Sequence, residues 1–145
     1  MEDSQVSEFR RILRHFEREL EFQNQSGCCC GVTLTQCHAL MELALNDNIT
    51  MNELADRLHL DKSTVSRTVD NLVQADLIDR KIPASNRRTT MIKLTKKGRS
   101  VCKTINNGNN QFFIQALNAI PSDKLADFLQ SFEQLTSAMM KLNKS

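Results

Sequence analysis

Within residues 50–95 the spacing of apolar residues changes once, and that change constrains the fold more than any other feature of the chain. As far as Val73 they recur at spacings of three and four, the repeat of a helix. Beyond Asp76 they fall in two short runs, Leu77–Ile82 and Thr89–Thr95, rich in Ile, Thr and Leu, as strands are. The helical part is in two pieces. Thr50 and Glu53 form a capping-box pattern, and Met51, Leu54, Ala55 and Leu58 line one face of a short helix. After the tight connection His59-Leu60-Asp61, a second helix over about 62–75 buries Val65, Val69, Leu72 and Val73. Its outer side carries Lys62, Ser63, Thr64, Ser66, Arg67, Asp70 and Asn71. Between the two strands, Pro83-Ala84-Ser85-Asn86-Arg87-Arg88 is a turn-forming, basic hairpin tip.

The flanks are helical. Val6, Phe9, Leu13, Phe16 and Leu20 predict a helix over 5–23, followed by a loop at 24–31. Thr33 and Gln36 repeat the capping box before a helix that begins near Leu34, with Leu34, Cys37, Leu40, Met41 and Ala44 on its buried face. A long helix is expected from Lys96 to Ile120. Pro121 ends it, and Ser122 caps a last helix with the stripe Leu125, Phe128, Leu129, Phe132, Leu135 and Met139. The fold class is therefore mainly α with a small β-hairpin. Residues 1–32 and 96–145 form one helical region, and 33–95 form the unit that carries the hairpin.

A helix is the right width for the DNA major groove, and short polar side chains near its start reach base edges. Lys62, Ser63, Thr64, Ser66, Arg67 and Asn71 fit that role: arginine pairs bidentately with guanine, hydroxyls serve phosphates or bases, and Lys62 stands where it could meet a phosphate. Arg87 and Arg88 suit the flanking backbone or the narrow minor groove. The formal net charge is only +2. Even so, residues 80–103 hold Arg80, Lys81, Arg87, Arg88, Lys93, Lys96, Lys97, Arg99 and Lys103 with no acid, a local basic stripe suited to a polyanion. No paired acid–base constellation, phosphate-cradling glycine loop or Ser/His/Asp set argues for an enzyme.

The stretch MNELADRLHLDKSTVSRTVDNLVQADLIDR, continuing to ASNRRTTMIKLTKKG, resembles the multiple antibiotic resistance regulator (MarR) family of winged helix-turn-helix proteins. The resemblance spans nearly the whole chain, and its STVSR and NRR…LTKKG elements are fairly specific. It implies a triangular homodimer whose first and last two helices interleave, with two winged lobes on a pseudo-palindromic operator in double-stranded DNA. It also implies transcriptional regulation, most often repression. Two positions depart from the family pattern. Asn86 replaces an acid in the wing, and Asp76 replaces the glycine that ends the recognition helix; aspartate tolerates left-handed backbone better than most residues, so the fold is expected to survive.

Five cysteines stand at 28, 29, 30, 37 and 102. No apolar run approaches the ~20 residues of a membrane span, and the N-terminus lacks the apolar stretch of a signal peptide. A cytoplasmic location is expected, and with it reduced thiols. Cys28-Cys29-Cys30, followed by Cys37-His38, is unusual by composition. Grouped thiolates suit soft metals and metalloids, or reversible oxidation. No obligatory cofactor is expected. The expected signal is a thiol-bound metal or metalloid ion, or an oxidant, taken up at Cys28, Cys29, Cys30 and Cys37; the alternative is a small aromatic or phenolic ligand, with the cysteines structural. Cys102 and, taken alone, Cys37 are expected to pack as small hydrophobes.

Overall fold

The computed structural model describes residues 1–27, 31–82 and 89–144. Its elements run α1 (Asp3–Gly27), α2 (Leu34–Leu45), β1 (Ile49–Thr50), α3 (Met51–Leu58), α4 (Lys62–Gln74), β2 (Ile78–Lys81), β3 (Met91–Leu94), α5 (Lys96–Leu117) and α6 (Ser122–Lys144). The strands form one antiparallel sheet in the order β1-β3-β2, with Ile49 opposite Ile92 and Ile78 opposite Leu94.

Side-chain caps fix where the helices begin. Thr33 accepts from the backbone of Gln36 at 3.2 Å while the Gln36 side chain accepts from the backbone of Thr33 at 3.0 Å, a complete capping box. At α3 only half of the expected box forms: Thr50 Oγ1 accepts from Glu53 N at 3.0 Å. α3 ends at His59, whose left-handed backbone (φ 55°) reverses the chain so that Leu60 N donates to Ala55 O at 3.1 Å. Asp61 then opens α4. The same device closes α4. Asp76 adopts φ 62°, and Leu77 N donates back to Leu72 O at 2.9 Å. Thr95 Oγ1 donates to Asp76 O at 2.6 Å, which pins this reversal to the start of α5.

The core lies where α2, α3, α4 and the sheet meet. Leu40, Leu43, Leu54, Val65, Val69, Leu72, Ile78 and Ile92 are each less than 2% exposed. α2 runs through the middle of this layer and packs on α3, α4, α5 and β3 together.

Several expectations are corrected. The buried arc of α2 is Cys37, Ala39, Leu40 and Leu43, while Leu34 and Ala44 are exposed. A helix covered from several sides buries a broad arc, and a single stripe does not predict its centre. On α4 the buried set is Val65, Thr68, Val69 and Leu72, with Val73 only half-buried. Thr68 enters the core because its hydroxyl donates to Thr64 O at 2.9 Å. α1 extends through Gly27, because an established helix tolerates polar residues at a few tenths of a kcal/mol each. The hairpin gains β1 as a third strand, two residues being too short to show a period.

α5 ends at Leu117, earlier than Ile120. Its first half docks on the lobe through Gly98, Cys102 and Ile105; Cys102 Sγ donates to Leu40 O at 3.5 Å. Gly98 has a packing reason: a Cβ there would come within 2.1 Å of Leu77 O. α6 buries no residue. Among the described residues no helix is long and apolar enough to cross a membrane.

Gly98→Ala must push α5 away from the Leu77 carbonyl. A loss of about 1–3 kcal/mol in urea unfolding is expected; unchanged stability would show that the contact is not tight.

Candidate nucleic-acid interface

The apolar seam of α4 faces α2 and the sheet, so its polar side faces outward. Lys62, Ser63, Arg67 and Asn71 are exposed, and Thr64 and Ser66 are half-buried on the same helix. Arg67 Nη2 lies 3.5 Å from Thr64 Oγ1, a long contact that leaves the guanidinium extended along the helix surface. Ser63 is committed locally, since its hydroxyl donates to Asp61 Oδ2 at 2.8 Å. Asp61 Oδ1 also accepts from Thr64 N at 3.2 Å. Hydrogen bonds from Thr64 first, and then Ser63, hold the Asp61 carboxyl below its ordinary range.

A cleft of about 320 Å³ opens beside this helix, lined by Lys62, Val65 and Ser66 together with Thr50, Asn52 and Thr90, among others. Asn52 and Thr90 belong to the site although neither stands out in the sequence. The available signal was position: Asn52 stands in the first turn of α3, where free N–H groups and short polar side chains suit a phosphate.

Arg80 of β2 is ion-paired with Asp70 of α4, which ties the base of the hairpin to the outer helix. Arg99 pairs with Asp47 at 2.8 Å, and Lys97 Nζ donates to Ala75 O at 3.2 Å. Lys93, Lys96, Lys97 and Arg99 line an open cleft together with Asp76 and Asp79, at the end of the hairpin opposite its turn. The basic stripe is thus not one surface in the fold, because part of it ties elements together. Arg87 and Arg88, with Asn86, lie outside the described residues.

The segment 31–89 matches a family model described as MarR family. The chain is 32% identical over 60 residues to an uncharacterised protein of Methanocaldococcus jannaschii; that match covers 41% of this chain and 46% of the relative, so the chain spans about half of that protein. Two solved structures are similar in fold. The PcaV transcriptional regulator from Streptomyces coelicolor, in complex with its natural ligand, has a TM-score of 0.76 at 19% identity, covering 88% of this chain and 91% of that one. A cysteine-to-serine mutant of MarR from E. coli, complexed with operator DNA, has a TM-score of 0.75 at 20% identity, covering 90% and 95%. The chain has the winged-helix fold of MarR-type transcriptional regulators; α3 and α4 form its helix-turn-helix and β2–β3 the stem of its wing.

Of the cysteines, Cys28, Cys29 and Cys30 lie outside the described residues. Cys37 and Cys102 are buried in the core of the winged lobe and its junction with α5, as expected of packing thiols. Burial pushes the Cys102 thiol above its ordinary value. His38 is exposed. Among the described residues no three His, Cys, Asp or Glu side chains are grouped so as to hold a metal ion.

The lowered carboxyl of Asp61 gives a signed pH prediction. A depressed carboxylate adds stability that is present above its unfolded value, about 4, and is lost as the pH falls through the folded value. Wild-type protein should therefore lose more stability on acidification below pH ~4 than Asp61→Asn, which keeps an N-cap acceptor without the charge. Equal slopes in acid denaturation would contradict the role given to Asp61.

Proposed function

We propose that this chain is a sequence-specific DNA-binding transcriptional regulator. It acts as a homodimeric repressor on a pseudo-palindromic operator and is released by a signal taken up through its cysteines. The observation that carries the DNA-binding reading is the outward polar side of α4, held by a buried inner side of Val65, Thr68, Val69 and Leu72 and flanked by the Lys62–Asn52 cleft. α4 enters the major groove with Arg67 on a base edge and Lys62 on a phosphate. The similar MarR of E. coli was solved with operator DNA, which supports that placement.

The helical flanks support the homodimer. Val6, Phe9, Ile12 and Phe16 on α1 are 40–52% exposed, as are Phe128, Leu129 and Phe132 on α6 at 40–48%. Phe16 and Phe132 meet edge-to-face at 6.1 Å, so the two helices present one continuous apolar surface. A surface of that kind marks a protein interface. Residues 1–32 and 96–145 would then form the dimerisation region and 33–95 the DNA-binding domain.

The signal is assigned to Cys28, Cys29 and Cys30, with Cys37 a few residues on, acting through a thiophilic metal or metalloid ion or an oxidant. A second reading rests on a cavity of about 260 Å³ between α1, α2 and α5, lined by Leu20, Asn24, Cys37, Met41, Asn109 and Phe113 among others. A small aromatic or phenolic ligand would fit there with the cysteines structural, and the similar PcaV was solved with its natural ligand.

Fluorescence anisotropy on DNA from the protein's own upstream region, at stated salt, tests the whole. Arg67→Ala should cost about 1–3 kcal/mol and relax the preference at one base pair. Lys62→Ala should weaken binding to all sequences and flatten the salt dependence. Changing Cys28, Cys29 and Cys30 together to Ser should leave DNA binding intact and abolish release by arsenite or peroxide. If Arg67→Ala and Lys62→Ala bind as wild type, α4 is not the reading helix; if the triple-Ser variant still responds, the signal enters elsewhere and the cavity becomes the place to look.

A further inference from the structure

Helix α5 carries an unusual run at its centre: Asn106-Asn107-Gly108-Asn109-Asn110. All five residues are helical, within a helix that continues from Lys96 to Leu117. Glycine and asparagine are among the weakest helix formers short of proline, glycine through backbone freedom and asparagine because its amide competes for nearby backbone groups. Tertiary packing often offsets such a weakness, but not at Gly108. A Cβ on Gly108 would meet nothing within 4 Å, so no close approach requires the glycine, in contrast to Gly98 in the first turn. Among the described residues none of the four asparagine side chains makes a hydrogen bond, and only Asn109 is even half-buried.

The run lies between two halves of α5 with different attachments. Gly98, Cys102 and Ile105 precede it and are buried against the winged lobe. Phe112, Phe113 and Ile114 follow it and are 38–59% exposed, and Phe113 shares a cavity with Leu20 of α1. Asn109 and Phe113 line the cavity between α1, α2 and α5, so whatever enters that cavity bears directly on this part of the helix.

We propose that residues 106–110 are a pivot built into α5, at which the helix opens locally and lets the winged lobe change its angle to the terminal helices. A sequence whose local preference contradicts its fold at one place, with no packing gain there, marks a position where mobility is the function. The proposal does not depend on the DNA-binding reading, since the helix opens whether or not an operator is bound.

Hydrogen exchange with mass spectrometry on the full chain tests it, alongside Gly108→Ala, a substitution that meets open space and should fold. In wild type, the amides of 106–110 should exchange faster than those of 99–105 and 111–117. Gly108→Ala should slow them roughly fivefold, the factor that the glycine-to-alanine difference in helix propensity implies, and leave the lobe core unchanged. A second readout follows the pivot itself. Spin labels carried on unnatural amino acids at Asp56 in α3 and Asp127 in α6 should give a broad distance distribution that Gly108→Ala narrows. Protection at 106–110 equal to that of the flanks, or an equally narrow distribution in both proteins, overturns the proposal.

Discussion

The structure depends on the burial of α2 at the centre of the lobe. Leu40 and Leu43 are wholly enclosed and touch a layer made by α3, α4, α5 and β3. Because these partners share one core, the rotation of α4 about its axis is not free. Val65, Val69 and Leu72 can be buried in only one orientation, and that orientation turns Lys62, Ser66, Arg67 and Asn71 outward. The site is a consequence of close packing, which holds side chains more firmly than a loop would. The ends of α4 are held by short-range devices of one kind: Asp61 starts the helix, and Asp76, in left-handed backbone and gripped by Thr95, stops it.

Electrostatics works locally in this protein. A net charge of +2 gives little long-range attraction to a polyanion. Asp70–Arg80 and Asp47–Arg99 are exposed pairs of the kind that contribute little to stability, yet each bridges two different elements and so sets direction. The first joins the stem of the wing to the outer helix; the second joins the turn after α2 to the start of α5. What remains for a phosphate backbone near α4 is a short set of groups, Lys62 and Arg67 with neighbouring hydroxyls and amides.

Legibility in the sequence followed the length scale of each signal. Capping residues act over four positions, and Thr33, Gln36 and Thr50 do what their spacing suggests. Asp76 proved to be a left-handed residue where the family pattern has glycine, as its side chain allows. Stripes repeated over several turns, such as Val65–Val69–Leu72, were also legible. Signals that need a third dimension were not. β1 is two residues long and exists only because β3 offers it an edge. Leu43 is buried and Leu34 is not because of what covers α2, which a periodicity does not report. The basic stripe of 80–103 looks uniform in sequence, but the fold divides it by pairing Arg80 and Arg99. Asn52 and Thr90 joined the site only when β1 and β3 brought their elements beside Lys62.

Selection of duplexes from a random DNA pool by the full-length protein measures the central claim most directly, because no operator has to be chosen in advance. A helix presented by each lobe of a two-fold dimer should enrich a pair of inverted half-sites whose centres lie about 10 base pairs, or a multiple of that, apart. Failure to enrich any motif above the starting pool would contradict the account: the outward side of α4 would then not be a surface for reading DNA.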